Sequence, residues 1–97
     1  MDLKKLLSTE GVMVIDVREP YEFDELHYKG AVNVPLGNLP SRLSKLNEAQ
    51  GSPIVFYCQS GNRSGSAAKF AISHGFDNVH NGGGLYSMLE FQNLVEN

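Results

Sequence analysis

The sequence predicts an α/β domain with a mainly parallel sheet of four to five short strands flanked by helices, and three observations support this. Short β-branched runs alternate with segments of helical periodicity along the chain. Glycine and proline fall at nearly every change between the two patterns. The 97 residues are enough for one hydrophobic core and too few for two, so residues 1–97 are expected to form a single domain.

Taken in order, Leu3, Leu6 and Leu7 share one helical face within residues 2–8, and Gly11 stops that helix. The apolar run Val12-Met13-Val14-Ile15 reads as a buried strand ending near Asp16. Pro20 suits the first turn of a short helix that includes Phe23 and Leu26 and is broken by Gly30. Residues 31–34 then form a brief strand, closed by Pro35. Leu39, Leu43 and Leu46 recur at helical spacing, with Ser41 as the expected N-terminal cap, until Gly51-Ser52-Pro53. Ile54-Val55-Phe56-Tyr57 is the next strand, with Cys58 at its tip. From Ser64 to Gly75, Ala67, Ala68, Phe70, Ala71 and Ile72 suit a helix packed on the sheet. Residues 76–80 are expected to form the last strand and Gly82-Gly83-Gly84 a turn, and Leu85, Met88, Leu89, Phe91, Gln92 and Val95 mark a final helix.

Composition excludes several classes of function. The formal net charge is −3 and the eight lysines and arginines are scattered, which removes the basic footprint of a nucleic-acid binder. An anionic substrate would therefore need individual cations and backbone dipoles to hold it. No segment approaches the roughly 20 apolar residues of a membrane span, and the apolar stretch in MDLKKLLSTEG is too short for a signal peptide. The default expectation is a soluble cytoplasmic protein. One cysteine precludes an intramolecular disulfide, and no Cys/His cluster has zinc-ligand spacing.

Attention falls on FYCQSGNRSGSAAKF, residues 56–70, which holds the single cysteine at a strand end with Arg63 five positions later. In parallel sheets, ligands bind beyond the carboxyl ends of the strands, where helix N-termini point their N–H groups outward. A nearby cation or helix start lowers a thiol pKa from its ordinary value of about 8.5, and Arg63 and the following helix offer both. Gly61 permits Gln59, Ser60 and Asn62 to curl into a nest of N–H donors around the sulfur. No histidine adjoins Cys58 to act as its base. The spacing alone leaves two readings open, a working thiolate and a buried small hydrophobe beside a common turn.

The order strand, CQSGNRS, helix resembles the active-site loop of the rhodanese family of thiosulfate sulfurtransferases, whose six-residue loop runs from cysteine to arginine, here Cys58 to Arg63. VIDVREPYEFDELHYKGAVNVPL, residues 14–36, and GGGLYSM, residues 82–88, are similar to the family's other two signatures. The resemblance implies a rhodanese-like three-layer fold and a two-step reaction. In the first step Cys58 takes sulfur from a small anionic donor such as thiosulfate. In the second, cyanide or a thiol acceptor, including a thiol protein, removes it. It implies Cys58 as the catalytic residue, Arg63 as the anion-binding cation, and Gln59, Ser60, Gly61, Asn62 and Ser64 as substrate-binding loop residues, with no metal or organic cofactor. The related phosphatases have one more residue between cysteine and arginine and normally a histidine before the cysteine, where this chain has Tyr57.

Two other readings stand beside this one: a persulfide carrier or protein-interaction module fed by a partner protein, and an inactive interaction domain. Asp16 and Arg18, which match the family's Asp-x-Arg-Glu segment, are expected to be internal ion-pair partners that shape the loops. His27 is expected to bond a backbone group, and Lys69, about 240 degrees around the helix from Arg63, to face solvent. Tyr86 stands where the family commonly has tryptophan, a departure that bears on acceptor docking. The chain also starts without the family's usual first strand, which leaves a sheet edge expected to be open or paired with another chain.

Overall fold

The computed structural model describes residues 2–96, with side-chain surroundings for residues 2–93. Four parallel strands form one sheet in the order β2-β1-β3-β4: β1 Met13–Asp16, β2 Val32–Asn33, β3 Ile54–Cys58 and β4 Val79–Gly84. Among the described residues five α-helices accompany them: α1 Leu3–Leu7, α2 Pro20–Glu25, α3 Leu43–Asn47, α4 Asn62–Ser73 and α5 Leu85–Glu96. The expected α/β class and the three-layer arrangement are both present.

Because side chains alternate along a strand, β3 divides the core. Ile54, Phe56 and Cys58 face one side, with Leu39, Leu46, Ala67 and Ala71 from a 3-10 segment at Leu36–Arg42, α3 and α4. Val55 and Tyr57 face the other, with Leu7, Leu85 and Met88 from α1 and α5. Both faces are covered, which is why all five residues of β3 are buried and read as a continuous apolar run. Val95 of the expected final helical face lies outside the described side chains.

The connection from β1 leads outward to β2, whereas β3 and β4 lie on the other side of β1. The carboxyl ends of β1 and β3 therefore flank the point where strand order reverses, which is where open α/β sheets bind ligands. Asp16 ends β1 and Cys58 ends β3. β4 has no strand partner on its outer side among the described residues.

Three expectations need correction. The glycine triplet is part of β4 and not a turn, and the irregularity it introduces lies opposite Phe56 and Tyr57. A Cβ on Gly82 would sit 2.8 Å from Val55 Cγ1 and 2.9 Å from Met88 Sδ, so bare backbone is required where this strand crosses the core. Ser41 is not a helix cap: Leu36–Arg42 is a 3-10 segment around Pro40, in which the Ser41 hydroxyl donates to the Asn38 carbonyl at 3.0 Å. Helix α4 begins at Asn62, two residues earlier than expected, because Gly61 adopts the left-handed conformation that starts it.

Candidate active site

Cys58 ends β3 with its side chain on the α4 face, and the chain turns at once into the first turn of that helix. Gly61, at φ 98, makes the turn possible and aims its N–H at Cys58 Sγ, 3.0 Å away. The Ser64 N–H reaches the same sulfur at 3.4 Å, and the Ser64 hydroxyl lies 3.5 Å from it. These are donors that a helix start leaves without intrahelical acceptors, and the amides of Asn62 and Arg63 belong to the same set. Burial pushes the Cys58 thiol pKa up, but hydrogen bonds from the Ser64 hydroxyl and from the amides of Ser64, Ser60 and Gly61 outweigh it, so the value falls below that of an ordinary cysteine. The residue is 0% exposed, whereas Gln59 and Ser60, which follow it, are exposed.

Arg63 is placed differently from the simplest sequence expectation. Its guanidinium grips Glu22 of α2 with two bonds, Nη1 to Oε1 at 2.8 Å and Nη2 to Oε2 at 3.2 Å. Glu22 Oε1 also accepts the Glu19 N–H at 3.0 Å in a capping arrangement that fixes the start of α2. The Arg63 bonds hold the Glu22 carboxyl below the usual carboxylate range, against a smaller opposing effect of burial. The sulfur's close partners are thus amides and a hydroxyl, with Arg63 acting on it at longer range as a charge shared with Glu22.

At the end of β1, Asp16 and Arg18 form the expected internal ion pair, at 2.7 Å and with side chains 0% and 2% exposed. Asp16 also accepts the Arg18 backbone N–H, and Arg18 donates to the Leu26 carbonyl at 2.6 Å. Arg18 Nη1 approaches Gln59 Oε1 at 3.4 Å, which ties this buried pair to the loop. His27 is structural as expected: its Nδ1 lies 2.7 Å from the Phe23 carbonyl oxygen and its ring stacks on Phe23. Lys69 is exposed, and Tyr86 projects at 66% exposure from the first turn of α5.

Residues 1–87 match the family model of the rhodanese-like domain. The chain belongs to the rhodanese family. It is 33% identical over 91 residues to a thiosulfate:glutathione sulfurtransferase of Saccharomyces cerevisiae, covering 80% of this chain and 66% of that protein. It is 38% identical over 78 residues to YrkF of Bacillus subtilis, whose name proposes a sulfur carrier, covering 80% of this chain and 41% of that protein. Among solved structures, a rhodanese with anions from E. coli superposes with a TM-score of 0.73 at 32% identity, covering 78% of this chain and 89% of that one. The chain thus spans less than two thirds of each of these two curated relatives.

Three contributors to this rhodanese loop escaped sequence reasoning. Glu22 lies 41 positions from the arginine it binds. Asn81 Oδ1 accepts the Ser64 hydroxyl at 2.7 Å and the Gly83 N–H at 2.9 Å, while its Nδ2 donates to the Gly61 carbonyl at 3.2 Å. Gly84 lets the loop rest on β4, since a Cβ there would stand 2.8 Å from the Gln59 carbonyl oxygen. The only signals in the sequence were the Glu-Pro-x-Glu helix start for Glu22 and the glycine run for Gly84; nothing marked Asn81.

Proposed function

We propose that this rhodanese-family chain is a sulfurtransferase that carries sulfane sulfur from thiosulfate or a related donor, through a persulfide on Cys58, to cyanide or a thiol acceptor. The observation that carries the reading is the sulfur itself, buried at a strand end and held by Gly61 N–H at 3.0 Å and Ser64 N–H at 3.4 Å. The Cys58 thiolate attacks the outer sulfur of thiosulfate. The Sγ–S bond forms, the S–S bond of the donor breaks, and sulfite leaves with the electron pair. Negative charge then rests on the outer persulfide sulfur, within reach of loop amides that Sγ no longer needs in full, including those of Gln59, Asn62 and Arg63. Cyanide or a thiolate next attacks that outer sulfur, and Cys58 departs as a thiolate, ready for another cycle. Arg63 serves as the anion-binding cation once a donor competes with Glu22 for it.

A second reading is favoured by one specific observation. Because Glu22 already neutralises Arg63, a free dianion meets little net positive charge at the loop. A persulfide delivered by a partner protein would not need that charge, which suits a carrier role like the one proposed by the name of the Bacillus subtilis relative.

Intact-protein mass after incubation with thiosulfate, followed by cyanide and thiocyanate detection, tests the proposal. Gain of one sulfur atom in the wild type but not in Cys58→Ser, and its loss as thiocyanate, is the expected result. Loading by thiosulfate in Cys58→Ser would overturn the mechanism. No loading in the wild type, together with loading from a protein persulfide, would establish the carrier role instead.

A further inference from the structure

The Ser64 hydroxyl has one proton and two acceptors competing for it. Asn81 Oδ1 lies 2.7 Å away and Cys58 Sγ 3.5 Å away. The orientation of the Asn81 amide is fixed by its neighbours, because the Gly83 N–H can only donate to Oδ1 and the Gly61 carbonyl can only accept from Nδ2. In the register of the sheet, Asn81 sits beside Phe56, which places it on the same face as Cys58 and α4. Ser64 itself is fully buried, whereas Asn81 is exposed to solvent on its outer side, so the competition is for the proton of a hydroxyl that water does not reach.

The geometry points to Ser64 as a two-position hydroxyl and to Asn81 as the positioning residue that holds its proton whenever Cys58 Sγ does not carry the charge. With a neutral thiol, the S–H donates to Ser64 Oγ and the Ser64 O–H donates to Asn81. With a thiolate, the hydroxyl turns its hydrogen to Sγ, and Asn81 Oδ1 keeps only the Gly83 N–H. In the proposed persulfide the charge sits one bond farther out, and the hydroxyl returns to Asn81. Ionisation of the thiol releases its S–H proton to solvent, while Ser64 keeps its own proton throughout; that O–H only rotates, and each sulfur state finds a matching partner. The inference deepens the reading of Cys58 as sulfur carrier and rests on it for the persulfide step alone.

Other charges near the sulfur do not substitute for this device. From β1, Asp16 is paired with Arg18, and across the loop Glu22 of α2 is paired with Arg63 of α4. On β4, His80 stands in register with Val55, on the opposite face, and bonds Asn78. Tyr57 also faces away, and burial raises its phenol pKa so far that it stays neutral. Helix α5, with Tyr86 and Glu90, packs on that opposite face.

The test is the pH dependence of Cys58 alkylation by iodoacetamide in the wild type, Asn81→Ala, Ser64→Ala and the double variant. Removing Asn81 also loosens Gly61, an effect common to both backgrounds, so the cycle isolates what passes through the hydroxyl. The expected result is that Asn81→Ala places the midpoint lower, by about half a pH unit or more, when Ser64 is present than when it is alanine. Equal displacement in the two backgrounds, or none in either, would overturn the inference. Asn81→Ser, whose hydroxyl is too short to reach Ser64, replaces Asn81→Ala if that variant does not fold. Failure of the wild type to load sulfur would defeat the proposed function yet leave this thiol measurement fully readable.

Discussion

Replacing Glu22 with glutamine removes one charge and keeps nearly everything else. The amide still offers an acceptor to the Glu19 N–H, so the start of α2 is preserved. What changes is the double bond to Arg63, at 2.8 and 3.2 Å, between side chains 37% and 18% exposed. Exposed ion pairs contribute about 0.2–1 kcal/mol, and two-pronged geometry with a mostly buried carboxylate places this one near the top of that range. An anionic donor therefore gives up about 1 kcal/mol when it must displace Glu22 from Arg63. The Glu22→Gln variant should then show a KM for thiosulfate about fivefold lower. The assay is steady-state thiocyanate formation, with KM compared at low and high ionic strength, where screening narrows the gap between the two proteins. An unchanged or higher KM in a folded variant would refute the reasoning, because it would mean that Arg63 does not meet the donor or meets it only while Glu22 holds it in place.

Asp16→Ala leaves the Arg18 guanidinium, 2% exposed, without its carboxylate, and should lower folding stability by about 3–5 kcal/mol in denaturant titration; a loss below about 1 kcal/mol would show that water reaches the charge. Gly84→Ala drives a methyl group to within 2.8 Å of the Gln59 carbonyl oxygen and should slow sulfur loading severalfold, with an overpacking cost of about 1–3 kcal/mol; loading at the wild-type rate would place the Gln59 backbone outside the cradle. In the wild type, the rate of Cys58 alkylation should rise with pH to a plateau whose midpoint lies below that of free cysteine, about 8.5, since the folded state favours the thiolate. The sign for stability follows: a depressed thiol pKa contributes stability above the ordinary thiol value, and that contribution is lost as pH falls through the folded one. Wild type compared with Cys58→Ser in denaturant titrations across that window measures it.

The sequence made β1 and β3 legible because each carries a continuous apolar run, Met13–Ile15 and Ile54–Cys58, that is buried for most of its length. It made Cys58 legible because a cysteine, a glycine and an arginine at this spacing sit where a parallel sheet exposes its strand ends. β4 was misplaced because glycine has no side chain to show a period of two, and the triplet reads locally as a turn. Only the packing of Gly82 under Val55 and Met88 explains why glycine belongs in that strand. Ser41 had the composition of a cap, but Pro40 beside it favoured a 3-10 path that turned the hydroxyl back to Asn38. Glu22 and Asn81 were out of reach for another reason. They meet Arg63 and Ser64 across 41 and 17 positions, and such contacts exist only after the sheet has assembled.

The loop separates two electrostatic tasks. With a net charge of −3 and both arginines near the site already paired, there is no broad positive field to hold a thiolate. The sulfur is instead stabilised by dipoles in contact with it, the Gly61 and Ser64 amides and the Ser64 hydroxyl. Contact dipoles are barely screened by salt, whereas attraction between a dissolved dianion and Arg63 is screened over about 8 Å at physiological ionic strength. Thiolate formation should therefore be nearly independent of salt while donor binding weakens with it, so that raising salt lowers kcat/KM for thiosulfate without moving the alkylation midpoint of Cys58. If salt moved the midpoint and the KM together, Arg63 would have to be the group that sustains the thiolate, and the assignment of that role to the amide cradle would fail.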